Sequence, residues 1–581
     1  MTAEAGSDRQ DIKSTGRSLV NRVVIILLFG VITGIAASFV ALGFVDIIDW
    51  LADELIGKRS RSHPGFNLVL LLIPVAGGLL VGLLIRLTSD RTPDNVASLI
   101  FRAQIRARPF SLRDGAINAL AAIAGMASGA SVGIYGPVAA LGATLASHLS
   151  RFCRIDITTA IGSGVAAAIS TAFSAPIAGI LFAHEVILRH YSLRAFAPIT
   201  VASCTGFFIS NYLLERPPLF QVEATRSLFA PEYFAFVVIG IAGALIATLL
   251  MKSIITASRI ARQSNVPVWL RPSVAGLGVG LMVQWLPDTV GVGTDLISTT
   301  VHHDIFSLPL LTAMLLGKIV LTALCIGFGY VGGVFSPALV VGVLSGAIMG
   351  QLGLSFFTGL SSGLAFYSVC GMLAVTSPVI GGPLTAILIV FELTRNYELT
   401  TAVMISVAFS NLVAYRLFGR SLFDRQLASQ GIDLSLGRDK VMLQRTAISR
   451  YVTTDAVTVK GSQRLIEAQR AMVEAGRQEC YVLDELSRFV GKLRLSDIVS
   501  IPANVNVHQA IASDYASLDT LVFDHELSVW HALEQMREFV GESIAIIDQR
   551  NYFIGVIYQS TLVTAYLQTT ENVRAEEHAA Y

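Results

Sequence analysis

The chain has little charge for its length. Of its 581 residues, 14% are charged and 53% are hydrophobic, whereas a soluble globular domain is roughly 25% charged. This shortage argues against a soluble enzyme and favours a protein with several membrane spans. The formal net charge of +1 gives no bulk attraction for polyanions, so we expect no nucleic-acid partner.

Cysteine is also scarce. The five cysteines form no CxxC pair, and four lie in apolar stretches, where a buried cysteine usually acts as a small hydrophobic side chain. We therefore expect neither a disulfide framework nor a zinc site.

Apolar segments recur between about Val23 and Leu417. Some are long, such as Ile161–Val186, and several are shorter than the roughly 20 residues that a helix needs to cross a bilayer. The polar residues before Val23 predict a cytoplasmic lead-in rather than a signal peptide. Short segments interrupted by Gly or Pro, at matching places in two halves, indicate broken helices around a midplane site.

Two pairs of short motifs recur along the chain. GIYGP (133–137) pairs with GVFSP (333–337), and SAPIAGILFAHE (174–185) pairs with GGPLTAILIVFE (381–392). Both longer segments carry a Glu nine residues after the Pro. One duplication explains both pairs, and convergent membrane composition is the alternative.

Each five-residue motif is interpreted as a loop that opens a helix. Glycine lets backbone N–H groups approach a ligand, and proline suits the first helical turn. A helix N-terminus has unpaired N–H groups and carries about half a positive charge. Two such N-termini meeting near the midplane would bind an anion and replace its water. A pair of kinked packing helices is the alternative interpretation.

These motifs resemble those of the CLC family of chloride channels and chloride/proton exchangers. GIYGP matches the family's G-[KR]-E-G-P motif and GVFSP its G-x-F-x-P motif, and the resemblance spans about residues 23–426. It implies an all-α polytopic membrane domain with broken helices in a CLC-type inverted repeat. It also implies a homodimer in lipid, with one pore per subunit for chloride or another small anion, and no required cofactor.

The resemblance implies which residues line the pore. The backbone N–H groups of Val334 and Phe335 would bind the central anion, and Tyr135 and Gly136 would lie at the outer anion site. The expected anion-binding set is Gly133, Ile134, Tyr135, Gly136, Pro137, Gly333, Val334, Phe335, Ser336, Pro337, Phe423 and Thr92.

The pore hydroxyls of the family are altered in this chain. Phe423 stands where the family usually has a pore tyrosine. SDRTPDNV (89–96) corresponds to the family's G-S-G-x-P segment but lacks its Gly-Ser-Gly, and Asp90 would fall on the serine. Thr92 could supply a replacement hydroxyl, or Arg91 a positive charge; the sequence leaves both open.

Two family glutamates that handle protons are also missing. The gating glutamate falls at Tyr135 and the inner one at Val186. A phenol is neutral at pH 7, so it neither competes as a tethered anion nor carries a proton readily. Passive, channel-like flux is therefore expected, with a chloride/proton antiporter of the same family as the alternative. Glu185 and Glu392 are expected to hold helix ends together.

The composition changes after Leu422. Residues 447–568 contain two segments that each read as a short strand, an amphipathic helix, a β-hairpin and a second helix, which resembles paired CBS domains. The predicted domains are a lead-in (1–22), a transmembrane domain (23–426), a linker (427–446), CBS 1 (447–503), CBS 2 (504–568) and a C-terminal tail (569–581).

Paired CBS domains often bind an adenine nucleotide. The first repeat has Gly491 and Asp497 where that family has its turn and its ribose-binding Asp, whereas the second repeat has Tyr558 and Thr561. An adenine nucleotide is thus the candidate ligand of this pair. A purely structural, dimerising pair is the alternative.

We expect an integral membrane protein of a prokaryotic inner membrane, with both termini in the cytoplasm and no enzymatic activity. A CBS-containing intramembrane metalloprotease would need HExxH, but Leu188 takes the place of the second histidine after His184. A cation transporter would need an acidic cluster within the membrane, whereas membrane carboxylates such as Asp46 and Asp49 are few.

Overall fold

The chain divides into two compact units, one ending at Gly431 and one spanning Ile432–His578. They are called the helical unit and the α/β unit below. The computed structural model describes residues 4–62, 66–89, 93, 95–105, 109–216, 232–302, 306–356, 363–501 and 509–578. Thr92, Asp90 and Arg91 lie outside the described residues.

The first half of the helical unit ends with a π-helical turn at Ile209–Leu213. Its α-helices are α1 (Glu4–Ala52), α2 (Lys58–Ser62), α3 (Leu68–Arg86), α4 (Val96–Gln104), α5 (Leu112–Ala127), α6 (Tyr135–Cys153), α7 (Ile157–Phe173), α8 (Pro176–Leu181) and α9 (Leu193–Phe208). A π-helical turn, Phe182–Leu188, continues α8.

The second half of the helical unit begins with a long helix, and a short helix follows at its end. Its helices are α10 (Glu232–Gln263), α11 (Arg271–Val283), α12 (Thr294–His302), α13 (Leu308–Gly327), α14 (Phe335–Phe356), α15 (Leu364–Ile380), α16 (Pro383–Thr394) and α17 (Tyr397–Leu417), and then α18 (Leu422–Ala428). Across the described part of the chain, seven helices are long and apolar enough to cross a membrane.

The helix contacts of the second half repeat those of the first in order. In the first half α6 packs on α7, α7 on α9, and α1 on both α7 and α9. In the second half α14 packs on α15, α15 on α17, and α10 on both α15 and α17. The recurrence seen in the short motifs therefore extends to the packing of whole helices.

Small residues allow the closest of these helix contacts. A Cβ on Gly142 of α6 would lie 2.3 Å from the carbonyl oxygen of Gly164 of α7. In the second half, a Cβ on Gly346 of α14 would lie 2.2 Å from the carbonyl oxygen of Tyr367 of α15. A side chain at either glycine would push the two backbones apart, so glycine sets the spacing of both helix pairs.

The apolar segment Ile161–Val186 is broken into separate helices. The helix α7 ends at Phe173, the next residue Ser174 has a φ of 53°, and α8 starts at Pro176. The same break separates α15 from α16, with Gly381 at a φ of 72° and Pro383 starting the next helix. Proline causes both breaks, because its ring disfavours helical geometry in the residue before it.

Each helix that follows a break is held at its start by a glutamate of the other half. Glu392, in the last turn of α16, accepts hydrogen bonds from the backbone N–H groups of Ile177 and Ala178, both at 2.8 Å. Glu185 accepts from the N–H groups of Thr385, at 2.8 Å, and of the residue before it, at 3.0 Å. The prediction that these glutamates hold helix ends together is confirmed.

The α/β unit contains two three-stranded sheets of the same topology. The first repeat has β1 (Thr458–Lys460), α20 (Leu465–Glu474), β2 (Glu479–Leu483), β3 (Phe489–Arg494) and α21 (Leu495–Val499). The second has β4 (Val522–Asp524), α23 (Val529–Gln535), β5 (Ser543–Ile547), β6 (Phe553–Tyr558) and α24 (Gln559–His578), with α22 (Ala512–Tyr515) before it. In each sheet the first strand is parallel to the second, which forms an antiparallel hairpin with the third. The predicted order of elements is thus present in both repeats.

The segment that precedes each repeat packs into the core of the other repeat. Residues assigned to the linker form α19 (Arg438–Arg445), whose Leu443 is buried with Ile448 in the core of the second repeat. Conversely, Ala512 is buried in the core of the first repeat. The cores therefore interleave along the sequence.

We predict that the exchanged glutamates stabilise the helical unit. Glu392→Met leaves the N–H groups of Ile177 and Ala178 without their acceptor, and it should lower the free energy of unfolding by about 2 kcal/mol. The measurement is unfolding of the purified protein in detergent, followed by tryptophan fluorescence.

The matched control is Glu54→Met. Glu54 forms an ion pair with Lys58, but its side chain is 52% exposed, so its loss should lower the free energy of unfolding much less than the loss of Glu392 does. Equal losses for the two variants would contradict the role given to Glu392.

Candidate functional site

The two five-residue motifs meet inside the helical unit. The N–H of Gly133 donates to the carbonyl of Gly333 at 2.7 Å, and the N–H of Gly333 donates to the carbonyl of Gly133 at 2.8 Å. Equivalent residues of the two motifs thus form a two-bond antiparallel pair. The expectation that the motifs lie together is confirmed.

The backbone approaches both motifs by the same turn. Gly129 follows the end of α5 with a φ of +92°, and Gly329 follows α13 with a φ of +95°. The N–H of the next residue, Ala130 or Tyr330, bonds back to the carbonyl five residues earlier, at 3.0 Å and 2.9 Å. This left-handed conformation suits glycine, and it turns the chain away from the helix axis towards the other motif.

Three helices begin beside this pair. The helices α6 and α14 start at Tyr135 and Phe335, the third residue of each motif. A Cβ on Gly136 would lie 3.2 Å from the Cα of Gly333 and 3.7 Å from the side chain of Val96, the first residue of α4. Since the first N–H groups of a helix have no partner within it, the arrangement concentrates backbone donors in one place.

Aromatic rings surround the helix starts. The ring of Tyr135 is stacked on that of Phe173, with centroids 3.9 Å apart and planes at 17°. The ring of Phe335 lies 5.2 Å from Tyr135 and 5.3 Å from Phe173, and Phe182 contacts it at 6.2 Å. All four side chains are buried. The Tyr135 ring therefore places its bulk against the first residue of α14.

The remaining predicted site residues fall into three groups. The motif residues Ile134, Val334 and Ser336 are buried beside the glycine pair, as are the two motif prolines. Phe423 is buried on α18, which packs against α4 and α15. Thr92 lies outside the described residues.

The sequence analysis did not identify a buried lysine that lies close to the first motif. Lys318 on α13 has no exposed surface, and its Nζ donates to the carbonyls of Thr289 at 3.0 Å and Gly291 at 2.7 Å. The N–H of Gly291 in turn donates to the carbonyl of Gly129 at 2.9 Å, so the lysine is tied to the turn before the first motif. The sequence does contain an indication of this residue. Lys318 is the one charged residue in α13, and a lone charge in an apolar helix indicates function.

The position where the resemblance expects the family's inner glutamate is apolar. Val186 is buried, and a Cβ on Gly382 would lie 2.8 Å from its side chain. The carboxylate of the neighbouring Glu185 bonds the start of α16 instead, including the Thr385 hydroxyl at 2.7 Å. The only carboxylate beside Val186 in sequence is thus already occupied by helix N–H and hydroxyl donors.

In the α/β unit the two predicted nucleotide residues differ in exposure. Gly491 is buried in β3, where a Cβ would lie 2.9 Å from the carbonyl oxygen of Ser517. Asp497 is exposed on α21 and accepts a hydrogen bond from the Ser496 hydroxyl at 3.2 Å.

A buried ion pair of the first repeat is hydrogen-bonded to the second repeat. Lys492 of β3 lies 2.5 Å from Glu479 of β2, and its Nζ also donates to the carbonyl of Ser543 on β5 at 2.7 Å. Burial lowers the pKa of Lys492, and the hydrogen bond to Glu479 opposes that shift. The bond from Lys492 to Ser543 thus links the first sheet to the second.

Comparisons with known proteins identify the family of the chain. The family described as "Voltage gated chloride channel" matches residues 77–415. A ClcB-like chloride channel protein of Ralstonia nicotianae is 27% identical over 389 residues, which cover 65% of this chain and 90% of that protein.

Two solved structures share the fold. A slow cyanobacterial Cl⁻/H⁺ antiporter superposes with a TM-score of 0.63 at 19% identity, covering 71% of this chain and 99% of that one. A eukaryotic CLC transporter superposes with a TM-score of 0.59 at 17% identity, covering 93% of this chain and 98% of that one. With its apolar helices and this family match, the chain is a membrane protein that belongs to the CLC family of voltage-gated chloride channels and related transporters.

Proposed function

We propose that this protein passes chloride or similar small anions passively across a membrane. The path runs past the N-termini of α6 and α14. The observation that carries the proposal is the pair of hydrogen bonds between Gly133 and Gly333, because it brings two helix starts to one point inside an apolar unit. Catalysis and a required cofactor are not part of the proposal.

The physical basis is the field of the helix starts. Each helix N-terminus carries unpaired N–H groups and about half a positive charge, which suits a single small anion. Non-helical backbone at membrane depth is tolerated where it is buried in protein or lines a wet path. The Ralstonia relative is named as a chloride channel, which supports chloride as the transported class.

We further propose that the two halves form an inverted repeat. Gly133 and Gly333 pair in antiparallel fashion, and each half supplies a glutamate to the helix start of the other. Exchanges of equivalent residues of this kind are what a two-fold axis between the halves produces. An axis in the membrane plane is the arrangement of many transporters with a midplane site.

We also propose that the flux of anions is not coupled to the movement of protons. Tyr135 and Val186 take the places of the two proton-handling glutamates of the family, and the Glu185 carboxylate is bonded to the start of α16. An antiporter of the same family is the alternative, since the cyanobacterial structural neighbour is one.

We propose a homodimer in a prokaryotic inner membrane with both termini cytoplasmic, which light scattering of the purified protein and protease access to its termini would test.

We also propose that the α/β unit is a CBS pair that binds an adenine nucleotide near Gly491 and Asp497. Binding of labelled ATP that Asp497→Asn does not weaken would contradict this assignment.

If anion flux is not coupled to protons, a chloride gradient should move chloride across the membrane without moving protons. In liposomes loaded with a pH dye, an imposed chloride gradient should move chloride and drive no proton uptake above that of protein-free liposomes. A proton ionophore added at the end shows that the dye responds. Uphill proton uptake that disappears when gluconate replaces chloride would establish the antiporter instead.

The Tyr135 ring is predicted to limit the rate of anion flux. Tyr135→Ala removes the ring that is stacked on Phe173 and contacts Phe335, and it should raise chloride efflux from liposomes about tenfold, a barrier change of about 1.4 kcal/mol. Tyr135→Phe keeps the ring and serves as the matched control, with flux near that of the wild type. Equal flux through all three proteins, or a Phe variant as fast as the Ala variant, would show that the ring is no obstruction.

A further inference from the structure

One hydroxyl at the meeting point of the motifs has no partner. Ser336 is 2% exposed, and its Oγ forms no hydrogen bond with any residue that the structure describes. A buried hydroxyl without a partner is costly, and such groups in a folded protein call for an explanation.

Other buried hydroxyls near the motifs are satisfied. Ser128 donates to the carbonyl of Gly125 at 2.8 Å, and Ser131 pairs with Thr322 at 2.9 Å. Ser345, further along α14, donates to the carbonyl of Gly342 at 2.8 Å. Ser336 therefore differs from these three serines.

Ser336 lies where the two chains cross. It is the second residue of α14, so its own N–H is among those without a partner within the helix. A Cβ on Gly133 would lie 2.8 Å from the Ser336 Oγ and 2.9 Å from its backbone nitrogen. The side chain thus reaches across to the first motif, and its hydroxyl joins the backbone donors of both helix starts.

We infer that the Ser336 hydroxyl donates a hydrogen bond to the transported anion and makes the site prefer chloride over weakly hydrogen-bonding anions such as thiocyanate. The inference rests on the proposed function. It assigns a hydroxyl donor to a site in which Phe423 supplies none. Hydrogen bonds to a charged partner are among the strong ones, so one such donor has a measurable effect on affinity.

The test is chloride binding to the purified full-length protein, measured by titration calorimetry. Ser336→Ala should weaken chloride binding about tenfold or more, which corresponds to about 1.4 kcal/mol. Ser345→Ala is the matched control on the same helix, since its hydroxyl already bonds Gly342, and it should bind chloride as the wild type does. In liposomes, the ratio of chloride to thiocyanate flux should fall in Ser336→Ala only.

A stability measurement separates lost binding from lost folding. In gluconate buffer, Ser336→Ala should unfold at the same temperature as the wild type or above it, because the change removes a buried hydroxyl that has no partner. Added chloride should then raise the unfolding temperature less than it does in the wild type. At the same concentration, a ligand that binds more weakly stabilises the folded protein less.

Two failures can be told apart. If the wild type binds and transports chloride and Ser336→Ala does so equally well with an unchanged flux ratio, the inference is wrong while the proposed function stands. If the wild type neither binds nor transports chloride, the proposed function is wrong and the inference fails with it.

Discussion

The two hydrogen bonds between Gly133 and Gly333 are the contact on which the rest of the helical unit depends. They join two loops that would otherwise leave polar backbone unpaired in an apolar interior, where each such group is costly. The turns at Gly129 and Gly329 deliver the chain to this point. Because the bonds use the loops' own backbone, the N–H groups of the helices that follow are left available.

The two halves are also held together by a second exchange of the same kind. Glu185 and Glu392 each accept N–H groups at the start of a helix in the opposite half. A negative charge at a helix N-terminus is favourable, so these starts are neutralised by the protein. The starts of α6 and α14 have no such carboxylate in their motifs. This difference separates helix starts that hold the fold from those that are proposed to hold an anion.

The motif residues could be predicted from the sequence because glycine and proline act locally. Their spacing indicated both helix starts, and Glu185 and Glu392 were expected to hold helix ends together. That each glutamate bonds a helix of the other half was not expected. The aromatic contact of Phe173 with Tyr135 could not be predicted, since those rings come from different helices. Lys318 was missed because its acceptors lie in a loop without a motif, and the packing of Leu443 because a short helix has little periodicity.

The central claim is that backbone N–H groups of two helix starts bind a small anion between the motifs. The most direct test is a crystal structure of the protein in bromide, whose anomalous scattering locates the ion. The account predicts a bromide peak within hydrogen-bond distance of the N–H groups of residues 134–136 and 334–336, since the N–H groups of Gly133 and Gly333 bond each other. Bromide bound elsewhere in the helical unit, for instance at Lys318, with none between the motifs, would contradict it.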